Sequence, residues 1–240
     1  MSTNKTDLSE RDICTQSITP ALEAAGWDVQ LQVREEVTFT NGRVIVRGKL
    51  VRRGQTRRAD DILSHKPNLP LAIIEAKANA QSIGAGMQQA LGYAEALDIP
   101  FVYSSNGDGF LEHDRTGTTN VVERDLALDA FPSPEALWAR YCAWKGLTAP
   151  AQQIVTQAYF SDGSDRTPRY YQRTAINRVV EAIAKGQQRL LLVMATGTGK
   201  TYTAFQIIWC LWKAGARQRI LDLEAAYHGG GCSNLQAHRP

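Results

Sequence analysis

Apolar positions recur at helical spacing early in the chain and then give way to two-residue alternation. Ile13, Ile18, Leu22 and Ala25 lie close to one helical face, and Ser9-Glu-Arg-Asp12 ahead of them has the form of a capping box. Pro20 should break or kink this helix, with a restart from Thr19, and Gly26 suits its C-terminal end. Trp27 to Val33 alternates as a strand. Val37-Thr-Phe-Thr40 and Arg43-Val-Ile-Val46 flank Asn41-Gly42, which predicts a type I′ hairpin. Two further strands are predicted over Ala59 to Ser64 and Leu69 to Ala76, joined by a Lys66-Pro67-Asn68 turn. Leu71, Ala72, Ile73 and Ile74 make the second almost wholly apolar, as in a strand buried on both faces.

A helix over Ala85 to Leu97 follows, then a buried strand over Phe101 to Ser104, a turn at Asn106 to Gly109, and a short strand over Phe110 to His113. Ser133-Pro134 can cap and start a helix over Glu135 to Trp144. The alternation of helices and strands predicts an α/β core with a mixed sheet. Residues 1–147 are taken as one domain, and 148–168, with its Ser161-Asp-Gly-Ser-Asp-Arg166 run, as a linker. From Arg169 the pattern restarts: a helix over Thr174 to Ala184, an apolar strand over Arg189 to Met194, and an amphipathic helix over Lys200 to Lys213. Arg219 to Leu221 begins another strand, so 169–221 reads as the start of a second α/β lobe. Residues 222–240, with three consecutive glycines from Gly229 to Gly231, lose this periodicity and form an atypical tail.

Composition narrows the class without deciding it. Hydrophobic residues at 43% and charged residues at 21% are ordinary for a globular chain. No apolar run reaches the length of a membrane span, and the N-terminus lacks the apolar core of a signal peptide. Cys14, Cys142, Cys210 and Cys232 have no zinc-type spacing and read as reduced thiols of a cytoplasmic protein. The net charge of +3 is uninformative, but Arg43, Arg47, Lys49, Arg52, Arg53, Arg57 and Arg58 cluster in one stretch. That stretch can track phosphates or simply be a solvated strand edge; charge alone favours neither.

Candidate chemistry begins at Asp60, near the start of one strand, and at Glu75 and Lys77, which close the next. Strand alternation points Glu75 and Lys77 the same way. Two carboxylates there can hold Mg²⁺ through oxygen, while Lys77 can orient water or stabilise developing charge on a phosphate. An Asp followed by Glu-x-Lys also arises by chance. Here the charges end a strand otherwise too apolar to carry them cheaply, and Gln89 and Tyr93 share one face of the next helix.

Met194-Ala-Thr-Gly-Thr-Gly-Lys-Thr201 follows the apolar strand and opens a helix, the context of a phosphate-binding loop. Thr196, Gly197, Thr198 and Gly199 supply backbone N–H groups, Lys200 reaches the phosphates of ATP, and Thr201 can ligate its Mg²⁺. Upstream, Arg169-Tyr-Tyr-Gln172 places Gln172 where an adenine-reading glutamine stands in superfamily 2 helicases and translocases, whose Ala-Thr-Gly-Thr-Gly-Lys-Thr loop this segment resembles.

Arg58-Ala-Asp60, Ile74-Glu-Ala-Lys77 and Gln89-Ala-Leu-Gly-Tyr93 together resemble the PD-(D/E)XK nuclease of the type I restriction enzyme R subunit, with which the chain looks similar to about Leu221. The resemblance implies a Mg²⁺-dependent endonuclease acting on double-stranded DNA, with Asp60 and Glu75 as metal ligands and Lys77 as the catalytic amine. Gln89 and Tyr93 would support DNA contact or cleavage, and Glu10 would be an auxiliary acidic residue. Asp61 stands where the family often has Tyr, and the spacing to Leu63 favours Asp60 as the ligand. Full family members work with methylation and specificity subunits and couple cleavage to ATP-driven translocation. No Asp-Glu-x-His box follows the phosphate loop, so this chain resembles an R subunit cut off early and is not expected to turn over ATP. Two other readings stay open: a non-catalytic DNA- or subunit-binding module, and an accessory domain of a helicase.

Overall fold

The first helical run is set by its cap and by its proline. In the computed structural model, which describes residues 8–40, 45–47, 50–52, 56–164 and 166–216, Ser9 caps α1 (Glu10–Ile13) by accepting from the Asp12 N–H, and Asp12 accepts from the Ser9 N–H. A π-helical turn over Cys14–Ile18 joins α1 to α2 (Thr19–Ala24). Thr19 N–H reaches back to the Cys14 carbonyl, so the run shifts register at Pro20, which has no N–H to give, and continues. Gly26, at φ +92, ends it, with Trp27 N–H bonded to the Leu22 carbonyl at 3.0 Å.

The strand expected over Trp27 to Val33 is not formed. The Asp28 carboxylate accepts from the N–H groups of Gln30 and Leu31, both at 3.0 Å, and nucleates a short helix, α3 (Val29–Gln32). The strands are β1 (Val33–Thr40), β2 (Ile45–Arg47), β3 (Leu50–Arg52), β4 (Thr56–Lys66), β5 (Leu69–Ala76), β6 (Phe101–Ser105), β7 (Phe110–Asp114) and β8 (Glu123–Leu126). Six of them form one sheet in the order β1-β4-β5-β6-β7-β8, and β2 pairs with β3 separately. The partner of β1 in the sheet is β4, with Val37 opposite Ala59, rather than the Arg43–Val46 segment; the Asn41-Gly42 turn itself lies outside the described residues.

Among the described strands only β5 and β6 run parallel; a 3₁₀ turn (Ile83–Gly86) and α4 (Met87–Leu97) make the crossover between them. The sheet is therefore mixed, as expected for an α/β core. Ile13, Ile18, Leu22, Ile74, Tyr103 and Phe110 fill one apolar core with Leu137 of α5 (Pro134–Lys145). Beyond it, Glu112 is buried but not unpaired: it accepts from Tyr103 Oη at 2.8 Å, from Arg140 at 2.5 Å and from Arg124. The edge strand β8, Glu-Arg-Asp-Leu, had no apolar alternation to announce it.

Contacts divide the chain into Met1–Thr148 and Ala149–Pro240. The second unit holds α6 (Ala149–Val155), within the segment taken as a linker, α7 (Tyr170–Ala184) and α8 (Lys200–Lys213). Gln206, fully buried on α8, accepts from the Phe160 N–H and donates to its carbonyl, tying that segment down. The strand expected over Arg189 to Met194 has no ladder partner among the described residues, and Leu191 and Val193 are 90% and 82% exposed. An apolar strand needs flanking strands, and the described part of this unit supplies only helices. The Arg219–Leu221 segment lies outside the described residues.

Candidate active site

Strand β5 ends where its last side chains meet the start of α4. Glu75 is 1% exposed, and its Oε1 accepts from Lys77 Nζ at 3.0 Å and from the Gln89 amide. Its Oε2 is buried and has no hydrogen-bond partner. Asp60, on the neighbouring β4, accepts from the Ala76 N–H through Oδ2 at 2.8 Å. Lys77 Nζ is shared among Glu75, the Glu10 Oε1 at 3.3 Å and the Gln89 Oε1 at 3.4 Å. Asp60, Glu75, Lys77, Gln89 and Glu10 thus converge from α1, β4, the end of β5 and α4.

Burial and mutual repulsion show in the proton affinities. Burial, then the nearby Asp60, pushes Glu75 up to about 7, although Lys77 pulls the other way. Burial also raises Asp60, against the Ala76 N–H and Lys77, which favour its charged form. Burial opposes the charge of Lys77, but the bonds from Glu75 and Glu10 outweigh it and raise its pKa, so it remains an ammonium at neutral pH. Asp61 is placed elsewhere. It is 3% exposed opposite Glu35 and is pushed to about 7 by burial, then by Glu35 and Asp60.

Tyr93 shares the α4 face with Gln89 but packs away from the carboxylates. Its ring meets Phe39 edge-on at 5.3 Å and lies 5.9 Å from the Arg57 guanidinium carbon. The side chains of Arg43, Arg47, Lys49, Arg52 and Arg53 lie outside the described residues. Two residues of the site carry no role that the sequence assigns. Gly86 lies directly on Glu75: a Cβ there would fall 2.8 Å from Glu75 Cγ and 3.0 Å from Ser104 Oγ. Ser104 in turn accepts from the Gly86 N–H at 3.1 Å and donates to the Ile83 carbonyl at 2.6 Å, fixing the turn over the carboxylate. The Gly84-Ala-Gly86 spacing ahead of a helix was the available signal.

In the second unit, Gly197 and Gly199 take φ +77 and +81, and the loop from Ala195 closes on itself through Thr198 Oγ1 to the Ala195 carbonyl at 2.6 Å. Thr196 lies in this exposed turn, Lys200 Nζ rests 3.5 Å from the Ala195 carbonyl, and Thr201 is in the first turn of α8. Gln172 is 6% exposed, and both ends of its amide are engaged. Its Oε1 accepts from the Arg169 N–H at 2.9 Å, and its Nε2 donates to the Thr198 carbonyl at 2.8 Å. It braces the loop from below.

Residues 165–224 match the family model described as "Type III restriction enzyme, res subunit". The chain is 53% identical over 221 residues to the type I restriction enzyme EcoAI endonuclease subunit of Escherichia coli, a match covering 92% of this chain and 27% of that protein. The type I restriction enzyme EcoKI endonuclease subunit of Escherichia coli strain K12 is 29% identical over 197 residues, 64% of this chain and 17% of its own. A solved fragment assigned as an HsdR subunit of a type I restriction enzyme from Vibrio vulnificus YJ016 superposes with a TM-score of 0.73 at 42% identity, covering 86% of this chain and 38% of that one. Fold and sequence therefore make the chain a homologue of restriction-enzyme subunits. Those relatives are endonuclease, or R, subunits of type I restriction enzymes, and the chain spans 27% of the EcoAI relative's length. Among the described residues, no helix is long and apolar enough to cross a membrane.

Proposed function

We propose that the first unit is a Mg²⁺-dependent endonuclease of the PD-(D/E)XK kind that hydrolyses phosphodiester bonds of double-stranded DNA within a type I restriction enzyme. One observation carries the proposal: Glu75 keeps a buried, unpartnered Oε2 beside Asp60, while its other oxygen is held by Lys77 and Gln89. A buried carboxylate oxygen without a donor is costly unless a cation completes it. Among the described residues no group of three His, Cys, Asp or Glu side chains could hold a metal. Two carboxylates nonetheless fit Mg²⁺, which ordinarily keeps waters and takes phosphate oxygens as its remaining ligands.

Asp60 and Glu75 would hold that ion, which would polarise the scissile phosphate and acidify a water. The protein's own groups do the positioning. The Ala76 N–H fixes one oxygen of Asp60 and leaves the other available. Gln89 orients both Glu75 and Lys77, and Lys77, held as an ammonium between carboxylates, can donate to oxygen as charge develops in the transition state. Glu10 steadies that ammonium from the other side. Tyr93, through its contact with Arg57, supports the DNA-facing surface rather than the metal.

The second unit is read as the start of a RecA-like superfamily 2 lobe whose loop over Thr196–Thr201, braced by Gln172, binds ATP. In the whole subunit this lobe would drive translocation, alongside methylation and specificity subunits. The test is nicking of supercoiled plasmid by this chain with Mg²⁺ against EDTA, with Glu75→Ala beside the wild type. Nicking that needs Mg²⁺ and is lost in the variant supports the reading. Equal activity in both refutes the role of Glu75, and salt-sensitive DNA binding without cleavage favours a binding module.

A further inference from the structure

Opposite Asp60 the edge strand β1 is interrupted. The register pairs Glu35 with Asp61 and Val37 with Ala59, and skips the position between them. That position is Glu36, which sits at φ +55, a left-handed conformation unfavourable for any residue with a Cβ. Such strain persists where the surroundings enforce it, and it often marks a working site. Here it coincides with an ion pair: the Glu36 carboxylate meets the guanidinium of Arg58, two residues before Asp60 on β4. Both side chains are about half exposed, at 49% and 56%. The charge of Arg58 reaches Asp60 and favours its ionised form.

The other cations near the centre are occupied differently. Lys77 is shared among three acceptors, and Arg57 turns to the Tyr93 ring. Arg58 is held by an exposed carboxylate alone among its described ion-pair partners, in a pair that solvent weakens. A guanidinium fork matches two oxygens of a phosphate as well as it matches a carboxylate.

We propose that Arg58 anchors a DNA backbone phosphate beside Asp60, and that Glu36 holds its guanidinium in the DNA-free protein and yields it to that phosphate. The inference rests on the nuclease reading of Asp60, Glu75 and Lys77. Glu36 acts as a placeholder, keeping the arginine extended toward the ladder gap so that binding exchanges one anion for another.

The experiment is fluorescence anisotropy of a short labelled duplex with the 240-residue chain in EDTA over a series of salt concentrations. Arg58→Ala weakens binding about tenfold and reduces the slope of log affinity against log salt by about one phosphate's worth. Arg58→Lys restores the slope with lower affinity. Glu36→Gln tightens binding several-fold, and this gain vanishes in the Arg58→Ala background. A purely structural loss, followed by circular dichroism melts, would lower affinity without removing that unit of slope. An unchanged slope in Arg58→Ala, or a Glu36→Gln gain that survives without Arg58, overturns the proposal. If the wild type binds and nicks while Arg58→Ala keeps the wild-type slope, only this inference falls. A wild type that neither binds duplex nor nicks removes both readings.

Discussion

Replacing Gly86 by alanine tests how tightly the carboxylate is cradled. Gly86 has φ −85 and ψ −10, a conformation alanine adopts freely, so the backbone carries no penalty. Loss of unfolded-state freedom would by itself favour alanine by about 0.4–1 kcal/mol. Against this, the new Cβ would stand 2.8 Å from Glu75 Cγ, 3.2 Å from Glu75 Cβ and 3.0 Å from Ser104 Oγ. Glu75 is 1% exposed and Ser104 0%, so neither can swing into solvent, and overpacking of this kind costs about 1–3 kcal/mol. The net is a destabilisation of about 0.5–2 kcal/mol, or a few degrees in the melting of the first unit. If Glu75 holds the metal as proposed, the functional effect should be larger, because displacing such a carboxylate by about 1 Å can lower a rate ~100-fold. Gly84→Ala is the control: its Cβ would meet the far end of the Leu111 side chain at 2.9 Å, which can rotate away. Thermal melts and plasmid nicking measure the two effects. A Gly86→Ala protein that melts at or above the wild type and nicks at its rate would refute the account of this contact.

Other expectations concern pH, metal and nucleotide. Burial, then Lys66, lowers the pKa of His65 against the pull of Glu135, so the folded state prefers the neutral ring. That preference stabilises fully above the ordinary value of 6.5 and is lost as pH falls through 6.5 toward the lower folded value. His65→Phe, which can keep the stack on Trp138 at 4.3 Å, should therefore flatten the acid limb of stability in urea melts; an identical pH profile would contradict this. Mg²⁺ at a hundredfold excess over its dissociation constant should raise stability by about 2.7 kcal/mol, and Glu75→Gln should abolish the gain; an equal gain in the variant would place the ion elsewhere. Lys200→Ala and Gln172→Ala should each weaken binding of a fluorescent ATP analogue by tenfold or more, the first through lost charge and the second through a loosened loop. Unchanged affinity in Lys200→Ala would dismiss the phosphate-loop reading.

The buried strands β5 and β6 were legible because Leu71 to Ile74 and Phe101 to Ser104 are too apolar to lie anywhere but a sheet centre. The span of α8 was equally plain from its periodicity after Gly199. Strand pairing was not, because the partner of β1 is set by contacts across the sheet, whereas Asn41-Gly42 is only a local signal. Asp28 shows local chemistry overriding a pattern: one carboxylate accepting two N–H groups turned an alternating segment into a helix. At the candidate site, the positions of Glu75 and Lys77 at a strand end followed from alternation alone. The contact of Lys77 with Glu10, 67 residues away in the chain, could not follow from spacing. Nor could the approach of Gly86 to Glu75, which depends on how the crossover helix docks on the sheet.

In the proposed function Lys77, poised between Glu75, Glu10 and Gln89, serves a metal-dependent cut in DNA. The most direct measurement is the Mg²⁺-dependent nicking rate of wild type and Lys77→Ala side by side, with circular dichroism to confirm that both are folded. The variant should lose at least ~100-fold of the rate. Equal rates in the two folded proteins would contradict it.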